Sequence, residues 1–229
     1  MNTSKILVVA ASCVFLAAQA SAATLFGIDC QDTSGTGSSA IGVDPVVTVA
    51  TVSANVYQRG AGLTAVNTTN AYTNNNWMAT SLAAAITAND FITWSFSSSM
   101  PLNLTEARFA SLRSNTGPAN IALQFMETGA SSFTTVATSS SVPTSASVFT
   151  VDMSAFTNVS GGTFRFIGWG ATETAGTLRL SDNAGVAVLG VSAPKNVSFV
   201  LEGEPVPEPA TMTILAAAGL MAARRRKSR

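Results

Sequence analysis

A chain of 229 residues that is 47% hydrophobic, 10% charged and without histidine has already excluded much chemistry. The commonest general base, the commonest metal ligand and every Ser-His-Asp or Cys-His arrangement are missing. The formal charge of zero averages twelve basic and twelve acidic residues, and their placement along the chain matters more than their balance.

The N-terminus reads as a secretory signal. Lys5 provides a small positive region, residues 6–18 an apolar core, and Ala20-Ser21-Ala22 a small-residue cleavage site, so residues 1–22 are expected to be removed by signal peptidase. Cleavage next to Ala20 and Ala22 places the mature start at Ala23. It also discards Cys13 and leaves Cys30 alone, a thiol that pairs between molecules or stays reactive, or a buried small hydrophobe.

The body, residues 23–201, alternates in the manner of strands. Residues 45–57 set Val47, Val49 and Thr51 against Thr48, Ala50 and Val52. Residues 91–96 place Ile92, Trp94 and Phe96 on one face, residues 120–126 do the same with Ile121, Leu123 and Phe125, and residues 163–169 oppose Phe164, Phe166 and Gly168 to Arg165, Ile167 and Trp169. Residues 186–191 and 196–201 read as closing strands. Turn-formers lie between, among them Gly117-Pro118, Gly129, Pro143, Gly161-Gly162 and Asp182-Asn183. One helix is expected, over residues 77–86. Short strands with frequent turns and no βαβ rhythm predict an all-β domain, an antiparallel β-sandwich or jelly roll.

Residues 202–205 read as a linker to a tail of three ordered parts. Val206-Pro207-Glu208-Pro209-Ala210-Thr211 is an extended element, because the two prolines can join neither a helix interior nor a central strand. An apolar helix is expected over residues 212–223, about a dozen residues where a stable span needs about 20. Arg224, Arg225, Arg226, Lys227 and Arg229 then form a stop-transfer cluster that stays on the cytoplasmic side. Without Lys5 and these five cations the mature body carries six basic against twelve acidic residues if Glu208 is retained, a net charge of −6. That argues against nucleic acid or anionic lipid as a partner.

The tail resembles the PEP-CTERM sorting signal of Gram-negative bacteria and planctomycetes, which implies handling by an exosortase-type membrane protease after passage through the export machinery. Leu112-Arg113-Ser114, Val151-Asp152-Met153, residues 164–170 and residues 176–180 are similar to the jelly-roll ectodomains of planctomycete PEP-CTERM proteins. The chain departs from that pattern after Ser181-Asp182-Asn183, where about ten further residues separate Ala184-Gly185 from Val197.

Two ligand readings follow from residue types. Trp77, after Asn74-Asn75-Asn76, is the ring expected to be exposed for stacking on a sugar, as in a carbohydrate-binding module of the surface polysaccharide. Asp29, Asp182 and Asn183 are oxygen ligands that would suit a structural calcium ion if the two ends of the domain meet, and solvated turn residues otherwise. Glycoside hydrolysis would need two acids together, and no pattern in the sequence joins Glu106, Glu127, Glu173 or Asp152. The chain therefore reads as an exported, non-enzymatic envelope or matrix protein with no resident cofactor.

Overall fold

One strand of 23 residues, β7 (Phe91–Arg113), runs through both layers of the domain and fixes where everything else can pair. The computed structural model describes residues 22–30, 44–68, 70–189 and 194–206. Before β7 come β1 (Ala23–Asp29), β2 (Asp44–Val47), β3 (Val52–Ala54), β4 (Gln58–Arg59), β5 (Thr64–Val66), β6 (Ala71–Asn75) and a single helix, α1 (Leu82–Ala88). After it come β8 (Asn120–Glu127), β9 (Thr134–Ser139), β10 (Ser147–Asp152), β11 (Val159–Trp169), β12 (Leu178–Ser181), β13 (Asn183–Val188), β14 (Lys195–Val197) and β15 (Phe199–Pro205).

All pairings among the described residues are antiparallel. Residues 91–98 of β7 pair with β11 on one side and with β3 and β4 on the other. Beyond β11 lie β8 and then β9, which completes the first layer. Residues 102–113 of β7 pair with β10 on one side, and with β15 and then β12 on the other. The second layer continues from β15 to β1 and β2, and from β12 to β6 and β5. The result is the antiparallel β-sandwich that the alternation predicted.

The core is aromatic and joins the layers directly. Trp94 and Phe164 of the first layer meet Phe199 of the second at ring-centroid distances of 4.8 and 5.1 Å, and Phe26 meets Phe96 at 5.6 Å. Phe109 reaches Phe166 edge-on at 5.5 Å. These are the tilted and edge-to-face geometries that aromatic quadrupoles favour. A second, smaller apolar cluster lies on the other face of the second layer, where Val186, Val188 and Val197 of the β13–β14 ribbon cover Ala110 and Val200. Residues 183–188 and 195–197, in the stretch that follows Asp182, thus form a ribbon that seals this face.

Several boundaries differ from the sequence reading. The segment expected as one strand over residues 45–57 is broken by a turn, with the Val52 N–H donating to Val49 O at 2.9 Å. The helix starts at Leu82, five residues later than expected, because the Ser81 hydroxyl accepts the Ala84 N–H at 3.2 Å and sets the cap there. Asn89, in the left-handed conformation with φ 60°, ends it. The last closing strand divides at Ser198, so β14 stays in the ribbon while β15 enters the main sheet between β1 and β7. Residues 202–205, read as a linker, are the second half of β15 and pair as far as Leu102.

Just after the helix, Asp90 is buried, and desolvation raises its carboxyl pKa, partly offset by the Ala79 backbone N–H it accepts. A raised pKa means that the folded state holds this proton more tightly than the unfolded chain. The stabilisation is complete at low pH and is lost as pH rises through the folded pKa. Asp90→Asn keeps an acceptor for Ala79 and removes the charge. We expect it to gain stability relative to the parent between acidic and neutral pH, read as a melting-temperature difference that widens with pH; a constant difference would show that Asp90 is not the titrating group.

Candidate functional site

The outward face of the first layer carries a row of polar side chains, exposed at Gln58 and Thr135 and buried at Gln124. Since Ile92, Trp94 and Phe96 point inward, Phe91, Thr93 and Ser95 point outward, and the same logic turns Thr163 and Arg165 outward on β11. Strand register aligns five of them. Gln58 is opposite Thr93, Thr93 opposite Arg165, Arg165 opposite Gln124, and Gln124 opposite Thr135. The row crosses β4, β7, β11, β8 and β9 at right angles to the chain.

Hydrogen bonds orient this row. Arg165 donates from Nε and Nη2 to Gln124 Oε1 at 3.0 and 2.6 Å, and Gln124 Nε2 donates to Thr135 Oγ1 at 3.0 Å. The guanidinium lies 3.9 Å from the Phe133 ring centroid and 5.3 Å from that of Phe91, and this burial lowers its pKa below the ordinary arginine value. Beside the row, a groove of about 380 Å3 is lined by Asn55, Gln58, Thr93, Ser95 and Thr163 among others. Asn55 Nδ2 donates to Ser95 Oγ at 3.0 Å across its edge. Apart from Arg165, the groups here are uncharged donors and acceptors.

Trp77 does not belong to this face. It has no exposed surface, and its indole N–H donates to Asn74 O at 2.8 Å, so the expectation of an exposed ring at Trp77 is overturned. Asn74 and Asn75 end β6, a strand paired with β12 on one side and β5 on the other, and Asn76 follows it with φ 69°, in place of the expected polar loop. Trp169 is the tryptophan that retains exposed surface. It ends β11 on the same face as Arg165, beyond the buried Ile167. The signal for it was present in the sequence, since Trp169 alternates in phase with the charged Arg165.

The oxygen ligands considered for calcium do come to one end of the sheet. Asp182 Oδ1 accepts the Cys30 N–H at 2.9 Å, next to Asp29 in the chain. Asp29 Oδ2 is paired with Lys195 Nζ at 3.1 Å, and Asn183 Oδ1 accepts the Gly185 N–H at 2.8 Å. Among the described residues no three His, Cys, Asp or Glu side chains converge as a metal site. Cys30 itself is fully buried, its thiol directed to Ser198 Oγ at 3.3 Å, and burial followed by the Asp182 charge pushes its pKa far upward. A thiol held neutral there is a core group and not a nucleophile.

Register brings together acids that the sequence left apart. Glu106 on β7 is opposite both Asp152 on β10 and Glu202 on β15. Arg108 bridges two of the three, with Nε 3.0 Å from Glu106 Oε1 and Nη2 bonded to Glu202 Oε1. Asp152 is exposed, and the Ser154 hydroxyl and N–H lower its pKa, the setting of a solvated turn acid and not of a proton donor. The arrangement is an ion-pair network on a sheet surface.

Of the residues predicted to direct processing, Ala22 is exposed ahead of β1, and Val206 follows β15 with its N–H donating to Pro101 O at 2.8 Å. Ala20, Pro207, Glu208, Pro209, Ala210, Thr211 and the cluster from Arg224 to Arg229 lie outside the described residues, as do most of the signal peptide and the expected apolar helix. Among the described residues no helix is long and apolar enough to cross a membrane.

Residues 205–227 match the PEP-CTERM protein-sorting motif. No curated protein matches the chain. Among solved structures, a carbohydrate binding module of family 29 aligns at 11% identity and a TM-score of 0.39, covering 83% of this chain and 96% of its own. A mutant module of that family complexed with mannohexaose aligns at 11% identity and a TM-score of 0.38, covering 78% of this chain and 92% of its own. The chain carries the PEP-CTERM signal, which marks it as an exported protein processed by an exosortase-type protease.

Proposed function

We propose that the mature protein is a non-enzymatic component of the cell envelope or extracellular matrix, released from its signal peptide at Ala23 and from its anchor at the Pro-Glu-Pro tail. The observation that carries this reading is the placement of the sorting motif on the fold. The motif begins at Pro205, the last residue of β15, and the Val206 N–H is bonded to Pro101 O at 2.8 Å. The signal is therefore joined to a finished sheet without an intervening domain. Ala23 is paired with Gly203, so both processed ends leave the domain side by side. The export machinery and signal peptidase act at this end first, and the exosortase-type protease acts there later. The acids that register brings together add support for a non-enzymatic role, because Glu106 and Glu202 are held in ion pairs with Arg108 and Asp152 accepts from Ser154 in a turn.

A second reading, contact with extracellular polysaccharide, is favoured by the uncharged polar row on the first layer. The processing account is tested by mass spectrometry of the protein recovered from its own cells. The expected species starts at Ala23 and lacks residues 224–229. A dominant species still ending at Arg229 would overturn it.

A further inference from the structure

We infer that Gln58, Thr93 and Thr135, with the half-buried Arg165 and the buried Gln124 aligned between them as their support, form a binding subsite for a neutral, hydroxyl-rich glycan chain lying across the strands of the first layer. This inference rests on the polysaccharide reading above and assigns that reading to particular residues.

A sugar polymer offers many hydroxyls and little charge, so its recognition needs closely spaced neutral donors and acceptors that are held in place before it arrives. The row meets both needs. Strands lie about 4.8 Å apart, so the four steps from β4 to β9 span about 19 Å, the length of roughly four sugar rings. Along that line Gln58 and Thr93 are amide and hydroxyl groups facing a groove of about 380 Å3, with Asn55, Ser95 and Thr163 on its walls. Among the described residues no charged side chain lines the groove.

Preorganisation comes from Arg165. Two of its N–H groups donate to Gln124 Oε1, which leaves Gln124 Nε2 pointing to Thr135 Oγ1. The Thr135 oxygen accepts that bond, so its own proton is free to be donated to a ligand oxygen. The order Arg165 to Gln124 to Thr135 is thus a directed chain, and its ordering entropy is spent when the protein folds and not when the ligand binds. Phe91 and Phe133, half-buried on either side of the guanidinium, hold it in the row and offer apolar borders suited to the C–H faces of a sugar.

The charge pattern selects a neutral polymer over an acidic one. Arg165 is the only cation in the row, two of its donors are committed to Gln124, and residues 23–206 carry six basic against eleven acidic residues. A polyuronate would meet net repulsion with nothing but this one engaged guanidinium to offset it.

The test uses the mature protein with a soluble neutral hexose polymer and a polyuronate of similar length, measured by titration calorimetry and affinity electrophoresis. The expected result is binding of the neutral polymer. Thr93→Val with Thr163→Val, which removes two hydroxyls at constant shape, should weaken it at least tenfold with the melting temperature preserved. Arg165→Lys, which cannot hold Gln124 Oε1 with two donors, should weaken it several-fold. If the parent binds and these variants bind equally well, the site assignment fails while the polysaccharide reading stands. If the parent binds neither polymer, both fail. Tighter binding of the polyuronate overturns the neutral assignment.

Discussion

A mature chain ending at Ser198 should not reach the native state, whereas one ending at Val206 should fold as well as the parent. The reason is the position of β15. It is the partner of β1 on one side and of β7 on the other, so without it β1 and β2 are joined to the sandwich by no strand pairing. Its Phe199, Val200 and Leu201 are completely buried, and Phe199 touches Phe26, Trp94 and Phe164. Burial of three such side chains is worth about 5–9 kcal/mol, comparable to the whole stability of a typical domain at about 5–15 kcal/mol. Near-ultraviolet circular dichroism and thermal melting report the outcome. A cooperative melt for the chain ending at Ser198 would show that β15 is dispensable. The consequence for export is direct. β15 adjoins the sorting motif, so a chain exported N-terminus first closes its second layer only once the segment next to the motif has emerged.

Much of the fold was legible because alternation with large aromatics survives tertiary packing. Residues 91–96, 120–126 and 163–169 sit in strands with Ile92, Trp94, Phe96, Ile121, Leu123, Phe125, Phe164 and Phe166 all buried, as their period of two requires. What escaped was continuity. The strand expected over residues 91–96 stops short of Ser97-Ser98-Ser99-Met100-Pro101, whose proline cannot donate to a ladder. In β7 these residues are the crossover between layers, with Ser98 opposite Val52, Leu102 opposite Val159, and the Pro101 carbonyl used by Val206. Gly161-Gly162 likewise reads as a turn and is an irregularity inside β11. Gly161 adopts φ 150°, and a Cβ on Gly162 would lie 2.4 Å from Phe125. The acidic, proline-containing stretch to Pro205 reads as linker because its charges suggest solvent, yet Arg108 meets Glu202 and allows the strand to continue.

The site was less legible than the fold for a related reason. A row across five strands is a product of register, and register joins residues as distant as Gln58 and Arg165 that share no local pattern. Sequence gives the face each residue takes within its own strand, and only pairing tells which residues stand opposite. The same holds for Glu106 with Asp152 and Glu202, a group visible only once β10 and β15 flank β7.

Trp77 shows how far burial can reverse a reading made from neighbours, and it supplies the largest single-residue effect expected here. Its ring is fully buried over β11, where a Cβ on Gly168 would come within 2.9 Å of the indole and 2.7 Å of Leu178, so only glycine leaves room for the contact. Trp77→Ala therefore opens a cavity in a tightly packed region and also leaves Asn74 O without its indole donor. Large-to-small changes of this kind cost about 3–5 kcal/mol, which in a domain of this size lowers the melting temperature by roughly 10 °C. Trp169→Ala, by contrast, removes a half-buried ring at the end of β11 and should cost distinctly less. Glycan affinity measured well below both transitions should be unchanged in Trp77→Ala, because the indole has no surface to offer a ligand. Loss of binding in a folded Trp77→Ala protein, at a temperature where circular dichroism matches the parent, would return Trp77 to the ligand site and displace the row centred on Arg165.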